Sequence, residues 1–183
     1  MDAAWDVLRE KGNQARVEDV TARAGTAKGT FYLYFPTWDD LLLAMRTKVG
    51  RDYGEEVGAR LAADSGNDAW AFIESEGTHF VDFLVELHGL HEAVFHGPIA
   101  DVAPGPDEPS AYDLIAVLIT LGIEHGAVRP VDVHALSRIV FHALHGLADA
   151  VLRGEDRDRL VTTFFSTLRD GIGTNATARR AHS

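Results

Sequence analysis

VEDVTARAGTAKGTFYLYFPTWDDLLL, residues Val17 to Leu43, decides how the rest of the chain is read. Val17, Val20 and Ala24 form an apolar step on a short run of helix formers, and Gly25 follows as the residue best able to take φ > 0 at a helix end. A second helix starts almost at once. Phe31 and Phe35 lie four apart on one face of Lys28–Phe35, and Pro36 stops the run. Two helices joined by so short a turn cross steeply, as in a helix-turn-helix. The other face of the second helix offers the Lys28 ammonium, the Thr30 hydroxyl and the rings and hydroxyls of Tyr32 and Tyr34, while Gly29 allows close backbone approach. Such groups suit phosphate oxygens and base edges. The same spacing also describes a tight αα-hairpin with ordinary surface aromatics.

The wording AGTAKGTFYLYFPTWDDLL resembles the signature AG-x-SKGTLYxYFxSKEELL of the TetR family of bacterial transcriptional repressors, matching at Ala24, Gly25, Lys28, Gly29, Thr30, Tyr32, Tyr34, Phe35, Leu41 and Leu42. The resemblance covers about the first quarter of the chain. It implies a homodimeric all-α protein, with a three-helix DNA-binding head and a C-terminal helical ligand-binding and dimerisation domain. It further implies a palindromic double-stranded operator, released when a small organic effector binds. Carried over residue by residue, it puts Thr26, Lys28 and Tyr34 on phosphates, with Gly29, Thr30, Tyr32 and Leu33 near bases. The departures are specific. The sequence starts almost at the first helix, so the basic arm of many relatives is not expected, and Asn13 stands where an aromatic is common. Thr21 replaces a small Ala, and Ala27 replaces the usual Ser cap, leaving Thr26 or a neighbour to cap. Trp38 replaces a Lys that would meet phosphate.

Charge divides along the chain. Residues 1–48 carry seven Lys/Arg and seven Asp/Glu, so the whole net charge of −11 falls in residues 49–183. A neutral head predicts modest phosphate attraction and a shallow salt dependence. The absence of cysteine excludes a disulfide framework and thiolate chemistry and fits a cytoplasmic location. No uninterrupted apolar run approaches the ~20 residues that span a bilayer, so no membrane is expected.

Outside the deciding stretch, residues 2–11 read as a supporting helix ending at Gly12. Positions 38, 41, 42, 45, 49, 53, 57 and 61 give one long helix to about Ala63, interrupted by Gly50, Gly54 and Gly58. These glycines make either a deformable or closely packed seam or simply a weak helix. Asn67-Asp68 caps a broadly apolar helix to about His88, and a short segment Leu90 to His96 follows. Residues 97–109 hold four of six prolines and read as a loop. Ser110 and Asp113 resemble a capping box for a helix closing at Gly126. Asp132 opens another to Gly154, and a last helix runs from about Asp156 to Gly171. Residues 174–183 read as a mobile tail. The expected domains are therefore 1–45 and 46–173, with the dimer formed through about 132–171.

Phe80, Phe83, Phe95, Tyr112, Ile115, Phe141 and His142 are the candidate lining of an effector pocket, apolar with one imidazole to orient the ligand. Any one of them also suits ordinary core. His88/His91 and His142/His145 have ligand spacing, but no H-E-x-x-H or Cys cluster accompanies them, so neither a metal nor another cofactor is expected. No nucleophile elbow, P-loop or dinucleotide turn is present, so no enzyme is expected. The resulting expectation is a ligand-responsive regulator of transcription. Its rival is a ligand-binding or protein-interaction module of the same fold that has weakened or lost DNA binding.

Overall fold

The computed structural model describes residues 1–64, 66, 68–99, 102 and 111–174. Among these the fold is all-α, as the apolar spacing requires. The helices are α1 (Asp2–Lys11), α2 (Val17–Ala24), α3 (Lys28–Tyr34), α4 (Trp38–Ala63), α5 (Ala69–Leu87), α6 (Gly89–Phe95), α7 (Ala111–Glu124), α8 (Val133–Leu152) and α9 (Arg157–Ile172). The proline-rich run over 103–109, Ser110 of the capping box, Asn67 and residues 175–183 of the tail lie outside the described residues.

The chain divides into two compact units, residues 1–55 with 83–110, and residues 56–82 with 111–183. In the first, α1 and the 3-10 turn Gly12–Gln14 that follows it pack against α6. The contact is close because Gly89 has no side chain: a Cβ there would stand 2.7–2.8 Å from Leu8 O, Arg9 O and Gly12 N. His88, just before it, takes φ 51°, a conformation that costs an L-residue energy. This turn ends α5 at Leu87 and starts α6 at Gly89. Leu8, Leu41, Leu42, Met45, Leu84 and Leu90 are fully buried. Arg46 is also buried, its Nη1 donating to the carbonyls of Ile99 (3.2 Å) and Val102 (2.8 Å).

The second unit is built on Trp70, Ile73, Leu118, Val128 and Ile172, with α7 against α8 and α8 against α9. Its helix starts follow the expected chemistry. Asp68, Asp132 and Asp156 accept from the backbone N–H groups of Ala71, Ala135 and Arg159, each at 3.0 Å. After α9 the chain pairs back on the α7–α8 connector through the isolated bridge Val128–Gly173. By length and mean hydropathy (20 residues, 1.2) α8 is long and apolar enough to cross a membrane, although Arg138, Asp149 and three histidines interrupt it. Gly54 and Gly58 have no atom within 4 Å of an added Cβ, so close packing does not explain these two glycines.

Candidate nucleic-acid interface

Local chemistry fixes the helix-turn-helix. Asp19 accepts from Arg16 N (2.9 Å) to start α2. Gly25 ends it in the left-handed region at φ 65°, ψ 32°, with Thr26 N donating to Thr21 O (3.0 Å). Thr21 is buried, and its hydroxyl donates to Glu18 O (3.2 Å), which accommodates the polar group where a small residue was expected. The expected replacement cap at α3 is not formed. Ala27 is the N-cap with no side-chain hydrogen bond, because Thr26 lies one residue too early. A signal missed in the sequence is the box Thr37-x-x-Asp40 opening α4. Thr37 N and Oγ1 donate to Asp40 Oδ2 (2.8 and 2.7 Å), and Asp40 N donates to Thr37 Oγ1 (3.1 Å).

α3 has one anchored face. Phe31 is buried and lies 5.6 Å from the Phe35 ring and 6.3 Å from Trp38, nearly parallel to the latter. Trp38 therefore extends the aromatic packing under α3. The opposite face is open. Tyr32, Leu33 and Tyr34 are 46%, 84% and 75% exposed, an unusual display of apolar area on a seven-residue helix. Gly29 has no atom within 4 Å of an added Cβ, so the head's own packing does not require a glycine there. Thr26 and Lys28 are exposed beside it and Thr30 is half-buried.

The head's cations are largely engaged within the head. Lys28 Nζ donates to Glu18 Oε1 (2.5 Å), Lys11 Nζ to Asp19 Oδ1 (2.5 Å) and Arg23 Nη2 to Glu10 Oε2 (2.6 Å). The Glu18 bond raises the Lys28 pKa above its ordinary value, and the Lys28 ammonium lowers that of Glu18. Neutrality, read from counting, has a geometric form here: carboxylates sit directly on the cations.

The candidate pocket residues fall in both units. In the second unit Phe141 lies 6.0 Å from Phe80, 4.5 Å from Tyr112 and 5.4 Å from His142. Ile115 is half-buried in the same unit. Phe83 and Phe95 belong to the first unit, where Phe83 meets Tyr53 (4.7 Å) and Phe95 meets His91 (5.4 Å). Sequence reasoning missed His145, 4.4 Å from Phe141, and Arg138, whose guanidinium lies 4.8 Å from the Tyr112 ring centre. Both are one helical turn from Phe141 on α8, a spacing that could have found them. Burial separates the histidine pair His88/His91, since His91 is fully buried and His88 exposed. An open groove of about 470 Å³ runs along α5, lined by Ala71, Glu74, Ser75, Thr78, His79 and Asp82 together with Arg157.

Comparison with known proteins places this geometry. The profile described as "Bacterial regulatory proteins, tetR family" matches residues 1–45, which hold α1, α2, α3 and the start of α4. The head is therefore of the TetR type. It is 35% identical over 75 residues to the uncharacterized HTH-type transcriptional regulator YvdT of Bacillus subtilis, a match spanning 40% of this chain and 38% of that protein. To the fatty acid metabolism regulator protein of B. subtilis it is 40% identical over 53 residues, 28% of this chain and 27% of the relative. Among solved structures, a TetR-family transcriptional regulator from Pectobacterium atrosepticum superposes with a TM-score of 0.71 at 21% identity, over 95% of this chain and 92% of that one. The FadR regulator of B. subtilis, solved with stearoyl-CoA, superposes with a TM-score of 0.64 at 22% identity, over 93% and 96%. The two sequence matches span well under half of the relatives' lengths, while the structural likeness shows the same fold over nearly the whole of this chain.

Proposed function

We propose that this TetR-family chain is a ligand-responsive transcriptional regulator, acting as a repressor, that binds a palindromic operator as a homodimer. The observation that carries the reading is the face of α3. Its buried side holds Phe31 against Phe35 and Trp38, and its other side presents Tyr32, Leu33 and Tyr34 with Lys28 and a sterically open Gly29. A helix that only stabilised a scaffold would gain from hiding those side chains. In a major groove they serve: Thr26, Lys28 and Tyr34 meet phosphates, and Gly29, Thr30, Tyr32 and Leu33 approach base edges. Residues 1–45 would be the reading head and 46–173 the effector and dimer part.

Dimerisation through about 132–171 is supported by the outer faces of α8 and α9. Ile139 is 65% exposed in mid-α8, in line with Ala135, His142 and Gly146, and α9 offers Thr162, Thr163, Ser166 and Thr167. The effector would be a mostly apolar organic molecule taken up near Phe80, Tyr112, Ile115, Phe141 and His142, with Phe83 and Phe95 as further candidates. The named fatty-acid regulator and the stearoyl-CoA complex among the relatives make acyl thioesters the first class to screen. An effector that prefers one head spacing must lower DNA affinity by the factor by which DNA lowers its own.

Two observations favour the rival module with weakened DNA binding: Lys28 is held by Glu18, and Trp38 is committed to the aromatic stack. Selection from a pool of random duplexes by the purified chain separates the two. An enriched palindrome is expected; no enrichment at low or physiological salt, from a folded dimer, would transfer the case to the rival.

A further inference from the structure

The first turn of α2 and the first residue of α3 are joined by an ion pair that bridges the two helices of the reading head. Lys28 Nζ lies 2.5 Å from Glu18 Oε1, and both side chains are more than half exposed, at 55% and 63%. Lys28 is also the cation placed on DNA phosphate. A phosphate oxygen bonded to the same nitrogen at about 2.8 Å would stand at most roughly 5 Å from that carboxylate oxygen. Either two anions share one ammonium, at a repulsive cost, or Glu18 swings away. Its exposed stem leaves it free to do so.

We propose that Glu18 is an intramolecular competitor for the DNA backbone: it holds Lys28 in the free protein, and a phosphate must displace it before the head engages. The proposal rests on the DNA-binding reading above and adds a regulating residue to that site. It also gives a cause for the modest phosphate attraction expected of this head, because the energy of the exposed pair is subtracted from the contact that Lys28 makes with phosphate. The other two close pairs of the head, Lys11–Asp19 and Arg23–Glu10, do not involve an α3 residue. Glu18 is the one carboxylate among these pairs that acts on the recognition helix.

The test uses the full chain and a fluorescein-labelled random-sequence duplex of about 30 base pairs, long enough for two half-sites one helical turn apart. Wild type, Glu18→Gln, Lys28→Ala and the double variant are titrated at salt concentrations from about 50 to about 200 mM. Thermal melting of each shows that it is folded. Glu18→Gln is expected to bind about two- to fivefold more tightly at the lower salt for each head engaged, the range of an exposed ion pair. In the Lys28→Ala background the same change should alter nothing. Equal or weaker binding by Glu18→Gln would overturn the proposal and leave the DNA reading intact. Equal tightening with and without Lys28 would also overturn it, since Glu18 would then act through its field alone. Absence of binding by all four folded proteins would overturn the DNA reading itself.

Discussion

The charges of the head and those of the second unit are arranged differently. In the head, Lys11–Asp19, Arg23–Glu10 and Lys28–Glu18 all lie at the surface. In the second unit, Glu76 is only 2% exposed and receives Arg60 Nε on both oxygens, at 2.8 and 3.0 Å. Exposed pairs contribute about 0–1 kcal/mol each and are easily exchanged for another partner. A buried pair adds little net stability when intact, but breaking it strands a charge. The head thus keeps its ion pairs where another anion could reach the cations, whereas one pair of the second unit, Arg60–Glu76, has its carboxylate buried and ties α4 to α5.

The largest test of that contrast is Arg60→Met, which takes the guanidinium away from a carboxylate only 2% exposed. A loss of about 1–3 kcal/mol in denaturant unfolding is expected, whereas removing the exposed Glu10 or Glu18 should lower stability by clearly less. Comparable losses at both places would erase the distinction.

Glycines sharpen it next. Gly89→Ala drives a Cβ into the backbone of the α1 end and should destabilise by about 1–3 kcal/mol. Gly54→Ala and Gly58→Ala meet open space inside α4 and should stabilise by about 0.5–1 kcal/mol each. A destabilising Gly54→Ala would reveal a packing role that the structure does not contain.

The smallest effect is in acid. Glu10, Glu18 and Asp19 are held below their ordinary values by Arg23, Lys28 and Lys11 respectively. Such carboxylates contribute stability that is complete above their unfolded pKa and is lost as pH falls through the lower folded value. Melting temperature should therefore hold down to about pH 5 and decline below about pH 4. Glu10→Gln with Glu18→Gln should make that decline shallower, and an unchanged profile would show that these pairs carry no folding energy.

Helix positions were legible in the sequence because their signals are local. Gly25 needs its left-handed backbone, Pro36 stops α3, and Asp132 and Asp156 cap α8 and α9. The chemistry of α3 was legible for the same reason, since Phe31 and Phe35 mark the buried side and leave the tyrosines outside. What escaped reading depends on distance along the chain. His88 takes a positive φ because α6 must turn back on α1 at Gly89, and no neighbouring residue announces this. Glu18 and Lys28 are ten residues apart across a turn, and only the crossing of α2 and α3 brings them together. The aromatic stretch of α5 signalled burial without saying against what. Phe80 meets Phe141 and Phe83 meets Tyr53, although they are one turn apart on the same helix.

The central claim is that the open face of α3 exists to hold DNA. It is tested most directly by comparing wild type with the Lys28→Ala, Tyr34→Phe double variant on one recovered duplex, alongside melting of both proteins. The account predicts lost retention with a melting temperature lowered by no more than loss of the exposed Lys28–Glu18 pair would cause, since both side chains are exposed. Equal retention by a variant of equal stability would contradict it.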